Sequence, residues 1–523
     1  MKILDKLLFF VLFSCYLSAS QIDTLNIKKL GAIGDGKKDD SDVFINAFKS
    51  IKENQILFIP KGVYILKKSI NIDVSNIKVI GEGEQTQLKF SSPKFSKSKK
   101  LLYSFILSNA KNIEFTNFCI DGGATNYKQI IIDDYKKQTW DVDGAYHIFF
   151  INPIKEYSVD NITFRNLKIS NSFFDAIHTY GRLNDVNPKF KVKNIFIEDC
   201  EFNSIGGHGV GFNNVLDSYV KQSKFYNVGL MKMTNANYGS GLAVDVSAGC
   251  NDILIKDNIV EGAGGGFKCE THHINNYSVN YSQNIQFINN TIKKLYQGDD
   301  YKVFYGIKMN GLNCKADGNI IESYGHGILI GIDAKDNIIT NNTILNTNEK
   351  TAAGIRCDEN GGGHQIISNR IYNTKAQGIL IANSNNVNID NNIIGFTELD
   401  NLRIAGGFNI TISNNYLFNS KSFSVSIAPI GQMKINNVKI IDNFYFNTND
   451  TYYKTKGILI VSGLNNISNI KNTLLIKRDN INTFLNNNIG DLIINEKFEP
   501  YTNSPLLWEI SLCNGSKSYR IIN

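Results

Sequence analysis

Charged and amide side chains recur at fixed offsets in five short segments that each open with glycine. The segments cover residues 241–245, 266–270, 306–310, 327–331 and 354–358. In each of them apolar residues alternate with other types, which is typical of a strand with one buried face. The residues two and four places after each glycine should therefore point outward and form two columns. The first column reads Ala243, Lys268, Lys308, Leu329 and Arg356, and the second reads Asp245, Glu270, Asn310, Gly331 and Asp358.

Asp245 and Glu270 are neighbours in the second column, and adjacent parallel strands lie about 4.8 Å apart. A carboxylate pair this close has three uses. It can supply the acid and the nucleophile of a retaining glycosidase. It can bind calcium together with Asn310, because hard cations take oxygen ligands. It can also be a charge pair neutralised by Lys268 and Lys308, with no part in catalysis.

The first column is cationic, and Arg403 in a later Leu-Arg-Ile segment extends it. A row formed by Lys268, Lys308, Arg356 and Arg403 favours carboxylate or sulfate groups on a sugar chain. A lysine among like charges is also a candidate base, so Lys268 and Lys308 are candidate catalytic residues.

Further polar residues extend the columns upstream. His178 falls in the first column, whereas Tyr180 and Asn213 fall in the second. His272 follows Glu270 by two residues and should share its outward orientation, which makes it a candidate catalytic residue.

His208 lies in a Gly-Gly-His-Gly segment that resembles the Gly-His-Gly of polygalacturonases. The Asn-Thr-Asp and Arg-Ile-Lys segments of those enzymes are absent here. His326 also lies in a Gly-His-Gly segment, so a packed turn histidine that belongs to the repeat is an equally good interpretation of His208. The candidate catalytic residues are therefore Lys268, Glu270, Lys308, His272, His178 and His208, the candidate substrate-binding residues are Arg356, Arg403, Asn213, Tyr180 and Asp358, and the candidate calcium ligands are Asp245, Glu270 and Asn310.

The elements that position these residues form a repeat. Strands of the same type return every few tens of residues, and Asn-Ile or Asp-Ile pairs recur between them, as at residues 161–162, 194–195 and 284–285. This pattern predicts a solenoid of stacked coils. Asparagine tolerates a left-handed backbone at the corners and can pair with asparagine in the next coil, so we expect a structural role for these residues.

The segment at residues 31–64 resembles the opening of a known superfamily. Residues 31–40 read Gly-Ala-Ile-Gly-Asp-Gly-Lys-Lys-Asp-Asp, a helical apolar pattern follows, and residues 60–64 read Pro-Lys-Gly-Val-Tyr. This order resembles the opening of the pectate-lyase superfamily. The resemblance implies an all-β, right-handed parallel β-helix whose N-terminal end is capped by a helix at about residues 40–53. It implies no single reaction, because lyases, glycosidases, epimerases and phage tailspikes share this superfamily.

The sequence also predicts domain limits. Residues 1–20 have the charged start, short apolar run and Ser-Ala-Ser site of a signal peptide, and a lipoprotein acceptor at Cys15 is the alternative. We expect an N-terminal cap at residues 21–54, the β-helix at 55–465, and a C-terminal cap or small β-module at 466–523. Insertions with aromatic residues at 126–140 and 293–305 should either wall a groove or pack on the next coil.

Composition agrees with an exported folded protein. Hydrophobic residues make up 42% of the 523 residues, and the net charge is +7. The mild positive charge allows either an anionic partner or a lysine-rich surface without a ligand. The cysteines are scattered without a Cys-x-x-Cys pair, which gives no zinc signature, and Cys269 and Cys357 should be small core residues. We expect no nucleic-acid partner and no membrane span.

Three functions fit these features. The first interpretation is an exported lyase or dehydratase that acts by β-elimination on a uronate-containing, and in some cases sulfated, polysaccharide or its oligosaccharides, with or without calcium. The second is a glycoside hydrolase that uses Asp245 and Glu270. The third is a carbohydrate-binding adhesin without catalysis.

We predict that export removes residues 1–20, because the apolar run is bounded by Lys2 and Lys6 on one side and by the small-residue site on the other. N-terminal sequencing of the secreted protein should start at Gln21. A retained Met1 would contradict the prediction, and a lipid on Cys15 would support the alternative.

Overall fold

The computed structural model describes most of the chain between Asp23 and Phe446. The described ranges are 23–91, 105–124, 147–180, 183–184, 187–188, 190–230, 241–247, 249–275, 278–293, 305–322, 325–332, 334–347, 350–358, 360–446, 456–460, 465–470, 473–475, 507–513 and 516–522. The predicted signal peptide with Cys15, the insertion at 126–140 and most of the insertion at 293–305 lie outside the described residues. For residues 272–280 and nearly all residues after 446, only the backbone is described.

The described residues fall into two compact units, which meet in sequence between Ile285 and Gln286. Each unit is a right-handed parallel β-helix, which confirms the predicted fold class. The elements of the first unit are β1 (Thr24–Asn26), β2 (Asp35–Asp39), α1 (Ser41–Ser50), β3 (Ile56–Ile59), β4 (Gly62–Leu66), β5 (Ile70–Ile72), β6 (Ile77–Phe90), β7 (Phe105–Leu107), β8 (Ala110–Asp121), β9 (Phe149–Ile151), β10 (Val159–Ser172), β11 (Ile177–Thr179), β12 (Leu183–Asn184), β13 (Asn187–Pro188), β14 (Val192–Glu198), β15 (Glu201–Ile205), β16 (Val210–Asn213), β17 (Val215–Lys221), β18 (Lys224–Val228), β19 (Leu242–Ser247), β20 (Asn251–Lys256), β21 (Ile259–Glu261), β22 (Gly265–Glu270), β23 (His272–Asn275) and β24 (Ser278–Asn280).

The second unit contains only strands among its described residues, and β25 (Gln283–Ile288) spans the boundary. Its strands are β26 (Thr291–Lys293), β27 (Tyr305–Asn310), β28 (Lys315–Asp317), β29 (Ile320–Glu322), β30 (His326–Ile330), β31 (Ile338–Thr340), β32 (Thr343–Thr347), β33 (Ile355–Cys357), β34 (Gln365–Ile367), β35 (Arg370–Thr374), β36 (Ile379–Ala382), β37 (Val387–Asp390), β38 (Ile393–Thr397), β39 (Leu402–Ser413), β40 (Tyr416–Ser420), β41 (Phe423–Ile427), β42 (Ile435–Ile441), β43 (Phe444–Phe446), β44 (Lys456–Ile460), β45 (Asn465–Ile470), β46 (Thr473–Leu475), β47 (Leu507–Cys513) and β48 (Ser516–Ile522).

Each coil pairs with the next through parallel ladders. In the first unit the ladder β7–β9–β11–β16–β19–β22 carries the outward residues singled out above. In the second unit the corresponding ladder is β27–β30–β33–β36–β39–β41. Two short antiparallel hairpins, β12–β13 and β23–β24, and the antiparallel pair β47–β48 lie outside these ladders. The domain limits at residues 55 and 465 stay predictions.

The opening motif builds the N-terminal cap. Helix α1 buries Phe44, and the ring of Phe44 meets the ring of Tyr64 edge-on at 5.6 Å. Asp40 precedes the helix, but its carboxylate accepts from the backbone N–H groups of Ile33 and Gly34 and makes no side-chain cap. Gly34 has a positive φ of 65°, and a Cβ there would lie 2.8 Å from the Tyr64 ring. The glycine, aspartate and tyrosine of the motif therefore hold one another in place.

Inward side chains stack from coil to coil. The rings of Phe115 and Phe164 stack at 5.4 Å, and the ring of Phe149 contacts both of them, at 5.1 and 4.7 Å between centroids. In the second unit the core is aliphatic, and the register aligns Ile321, Ile344, Ile371 and Ile394. Cys269 and Cys357 are fully buried in inward positions and form no disulfide, as predicted.

A row of buried asparagines runs through the second unit. Its members are fully buried and are Asn290, Asn319, Asn342, Asn369, Asn392, Asn415 and Asn443. The backbone N–H and Nδ2 of Asn342 both donate to Oδ1 of Asn369 at 3.0 Å, and the same pair of bonds links each neighbouring pair. Nδ2 of Asn369 also donates to the Ile339 carbonyl at 2.8 Å. The asparagines are thus structural, as the sequence predicts.

In the first unit, Ser223 and Asn258 make similar bonds between coils. Cys200 N–H donates to Ser223 Oγ at 3.2 Å, and Ser223 N–H donates to Asn258 Oδ1 at 2.9 Å. Other asparagines, such as Asn341 and Asn391, adopt a positive φ at the corners. Among the described residues, no helix has the length and apolar character that crossing a membrane requires.

We predict that Asn369→Ala destabilises the fold by about 3 kcal/mol, because it leaves the buried N–H groups of Asn342 without their acceptor. Thermal or denaturant unfolding measures the loss. The control is Asn388→Ala on β37, an outward position that is only half-buried. Equal stability of the two variants would contradict a special role for the buried row.

Candidate active site

Four parallel strands of the first unit place one residue each in a common outward row. The register pairs His178 on β11 with Gly211 on β16, Gly211 with Asp245 on β19, and Asp245 with Lys268 on β22. Neighbouring members of the row are therefore one strand spacing apart, about 4.8 Å. The next outward row runs through Asn213, Ser247 and Glu270.

This register corrects the sequence-based columns. We predicted that Asp245 lies opposite Glu270 and that Ala243 shares the column of Lys268. In the structure Asp245 lies opposite Lys268, Glu270 lies opposite Ser247, and Ala243 is fully buried. A slip of two residues keeps every side chain on its face, so the alternating pattern cannot reveal it.

Asp245 is held from three sides. Its Oδ1 lies 3.2 Å from the ammonium nitrogen of Lys268 and accepts a hydrogen bond from Ser247 Oγ at 2.9 Å. Its Oδ2 lies 3.4 Å from Nε2 of His208. Asp245 is therefore fixed in the row by contacts from its own strand and from both neighbouring coils.

Lys268 brings Asp245 and Glu270 together. Its Nζ lies 2.6 Å from Oε2 of Glu270, in addition to the contact with Asp245. Because both carboxylate oxygens contact one nitrogen, they lie no more than about 6 Å apart. This limit is compatible with the separation of about 5 Å between the carboxyl groups of retaining glycosidases. The predicted carboxylate pair thus exists, but as a diagonal pair bridged by lysine.

The calcium hypothesis gains no support from this geometry. Lys268 Nζ occupies the position between Asp245 and Glu270, and a cation there would compete with it. The third proposed ligand, Asn310, belongs to the second unit. Calcium binding by these residues stays a prediction.

His208 has a defined tautomer. Its Nδ1 accepts a hydrogen bond from Leu242 N–H at 2.9 Å, so in the neutral ring the proton is on Nε2, which faces Asp245. His326 repeats this bond in the second unit, where Nδ1 accepts from Ala353 N–H at 2.9 Å. The two Gly-His-Gly segments therefore share one structural device, and His208 additionally contacts a carboxylate.

Asp175 is a buried carboxylate among histidines. Its side chain is 0% exposed. Its Oδ1 accepts a hydrogen bond from the backbone N–H of His208 at 2.6 Å, and its Oδ2 accepts one from the ring Nδ1 of His178 at 2.7 Å. Nδ1 of His147 lies 3.7 Å from the same Oδ2, and the rings of His147 and His178 stack at 4.3 Å. Burial alone would raise the pKa of Asp175, but the charge of His208 and the hydrogen bond from His178 lower it overall.

His147 and Asp175 were missed in the sequence. Phe149 pairs with Ile177, which places His147 opposite Asp175 one coil earlier. The signal was present, because residues 147–151 and 175–179 both carry a polar residue two places before the inward position. The insertion at 126–140 precedes His147. The position of His147 within its coil therefore could not be obtained by counting residues from the previous coil.

Two predicted substrate-binding residues lie beside this cluster. The ring of Tyr180 packs near His178, with centroids 6.2 Å apart. Asn213 donates from Nδ2 to the Thr179 carbonyl at 3.3 Å, so its amide also supports the backbone of the neighbouring coil. His272 begins the hairpin strand β23 and does not continue β22, and its side chain is outside the described set.

The second unit carries the other predicted residues. Lys308, Leu329, Arg356 and Arg403 share one column, as predicted, with Leu380 between the two arginines. Asp358 accepts a hydrogen bond from Nε of Arg356 at 2.6 Å. Asn310 lies against Gly331, where a Cβ would come within 2.9 Å of the Asn310 side chain. Lys268 and Glu270 belong to the first unit, and Lys308 and Arg356 to the second. A common groove formed by these residues stays a prediction.

Comparisons with known proteins agree with this fold. Residues 24–268 match the family model described as rhamnogalacturonase A/epimerase, pectate lyase-like. This matched region, just under half of the chain, is similar to the pectate lyase-like β-helix family. The superfamily predicted from the opening motif is confirmed, and the subfamily is not identified.

Three of the similar proteins are phage proteins of low identity. A pre-neck appendage protein of Bacillus phage B103 is 24% identical over 253 residues, which cover 47% of this chain and 27% of that protein. The chain thus spans about a quarter of the length of the curated relative it matches. The tailspike protein of E. coli bacteriophage HK620, in complex with a pentasaccharide, has a TM-score of 0.59 at 13% identity, covering 86% of this chain and 80% of that chain. Pre-mature gene product 12 of bacteriophage phi29 has a TM-score of 0.53 at 14% identity, covering 87% and 56%. The structural likenesses show the fold alone.

We predict that acid weakens the first unit partly through His147. Burial, with the charge of His178, lowers the pKa of His147 from 6.5 to about 3. Between these values the unfolded chain binds a proton that the folded protein does not, so stability falls as the pH drops below 6.5. His147→Phe keeps an aromatic ring against Phe150 and removes this proton. The thermal midpoint of the variant should therefore fall less between neutral pH and about pH 4 than that of the unmodified protein. An unchanged pH dependence would show that His147 does not contribute.

Proposed function

We propose that the protein is an exported, glycan-cleaving enzyme whose first unit hydrolyses a glycosidic bond at the row of Asp245 and Lys268. One observation carries the proposal, namely the carboxylate pair of Asp245 and Glu270 held by a single ammonium group. The tailspike that shares the fold was crystallised with a pentasaccharide, which supports a sugar as ligand. The predicted signal peptide supports an exported site of action.

The charge of the site favours hydrolysis over elimination. The carboxylates outnumber the ammonium groups on the described residues of β11, β16, β19 and β22 and of the turns before these strands. The carboxylates are Asp175, Asp245 and Glu270, and the ammonium group is that of Lys268. Hydrolysis passes through a cationic, oxocarbenium-like transition state, which surrounding carboxylates stabilise. β-Elimination next to a uronate builds negative charge, which the same surroundings would oppose.

The contacts suggest a role for each residue. Asp245, fixed by Lys268, Ser247 and His208, is the carboxylate that stabilises or attacks the sugar carbon. Glu270 has a side chain that is 27% exposed, against 14% for Asp245, and is the proton donor to the leaving group. Lys268 sets the distance between them, and its ammonium group supplies the proton that Glu270 passes to the leaving group, which leaves Lys268 neutral until water reprotonates it. His208 orients Asp245.

β-Elimination on an anionic glycan is the second candidate, and the second unit favours it. Lys308, Arg356 and Arg403 share a column on the outward ladder of that unit. Among the described residues of this ladder, Asp358 is the carboxylate beside the column. Such a column suits the carboxylate or sulfate groups of a sugar chain. The two candidates differ in product, because elimination leaves an unsaturated uronate and hydrolysis does not.

We predict that Asp245→Asn and Glu270→Gln each reduce turnover at least about a hundredfold, because each removes a group that acts on the reacting bond. The assay uses a panel of neutral and anionic glycans and records both new reducing ends and the ultraviolet absorbance of unsaturated products. Reducing ends without absorbance are expected. The variants should still bind the glycan that the unmodified protein cleaves.

Glu84→Gln is the matched control. Glu84 on β6 forms an ion pair with Lys168 on β10, and neither strand belongs to the outward ladder. The Glu84 side chain is 73% exposed. This variant should keep full activity. Full activity of both site variants would refute the assignment, an absorbance gain would favour elimination, and binding without any product would favour the carbohydrate-binding interpretation.

A further inference from the structure

We propose that His147, Asp175 and His178 form a binding site for one divalent transition-metal ion of the zinc or cobalt class. The three residues come from two neighbouring coils, and each offers one donor atom within 4.8 Å of the other two. This cluster adjoins the carboxylate pair proposed for hydrolysis, because Asp175 accepts the backbone N–H of His208, whose Nε2 faces Asp245. Metal binding by the cluster does not depend on the proposed hydrolysis.

The distances suit a shared ion. Oδ2 of Asp175 lies 2.7 Å from Nδ1 of His178 and 3.7 Å from Nδ1 of His147. Ligands that each lie about 2.0–2.1 Å from one metal are separated from one another by about 3 Å. Small rotations of the side chains would therefore bring all three donors to one ion.

Glycines leave the space that the donors use. A Cβ at Gly211 would lie 2.8 Å from Nδ1 of His178 and 3.1 Å from Oδ2 of Asp175. A Cβ at Gly207 would lie 2.4 Å from Oδ1 of the same carboxylate. The glycines of the segment at 206–211 thus keep side-chain atoms away from two donor atoms of the cluster.

The donor set selects the class of ion. Two imidazole nitrogens and one carboxylate oxygen suit zinc, cobalt, iron or nickel, whereas calcium takes oxygen ligands. The carboxylate is fully buried and the histidines are 7% (His147) and 14% (His178) exposed, so a cation would compensate a buried negative charge. On binding, the metal would replace the proton on Nδ1 of His178, and the neutral ring would carry its proton on Nε2.

The test is direct metal binding to the full chain after treatment with a chelator. Titration with zinc chloride is followed by calorimetry, and titration with cobalt chloride by visible absorption. We expect one ion per chain, and a rise in the thermal midpoint with added zinc. Binding of no ion would overturn the proposal.

Variants locate the ion. His147→Ala and His178→Ala should each weaken binding at least about tenfold. Gly211→Ala should weaken it as well, although it removes no donor atom. Circular dichroism confirms that each variant is folded, and His147→Ala and Gly211→Ala give independent readings should one of them fail to fold.

His326→Ala is the control, because His326 is 8% exposed and lies in the second unit. It should leave zinc binding unchanged, as should Asp245→Asn. Equal zinc binding by the unmodified protein, His147→Ala and His178→Ala would overturn the proposed site. Because the readout is binding, failure of this proposal and failure of the proposed hydrolysis are distinguishable.

Discussion

Hydrogen bonds between coils fix the register on which the rest of the structure depends. A buried asparagine such as Asn369 accepts two bonds from the preceding coil and donates to the next one. A coil that slipped along its neighbour would leave buried amides unpaired, at a cost of about 1–3 kcal/mol for each group. The row therefore selects one alignment among those that the apolar pattern allows.

Strand register also assembles the chemistry of the first unit. His178, Gly211, Asp245 and Lys268 are far apart in the chain and become neighbours because their strands pair at fixed positions. Each coil contributes one or two outward polar residues to this surface, and the alternate residues of the same strands point into the core. Lys268 then contacts two carboxylates on different strands, Glu270 on its own strand and Asp245 on the neighbouring strand.

The fold could be predicted because its signals are local. The glycine, aspartate and tyrosine of the opening motif touch one another, and the alternation of apolar residues identifies the faces of the strands. The column of Lys308 and Arg356 was predicted because equivalent glycines precede both residues, and Arg403 was added from its Leu-Arg-Ile segment. The partner of Asp245 was not, because three consecutive glycines at 264–266 offer more than one alignment of the same parity. The contacts of Asp175 depend on the length of an insertion, which no local pattern encodes.

The asparagine row also has a consequence for how the chain is made. In every pair the donors belong to the earlier coil and the acceptor oxygen to the later one. A nascent chain therefore ends, at each stage of synthesis, in a coil whose amide donors await an asparagine that lies 23 to 29 residues further along the chain. A ribosome that stalled in this region would expose those donors beside an open strand edge, which is a template for pairing with another chain. Premature termination here should thus promote aggregation rather than yield a shorter soluble protein.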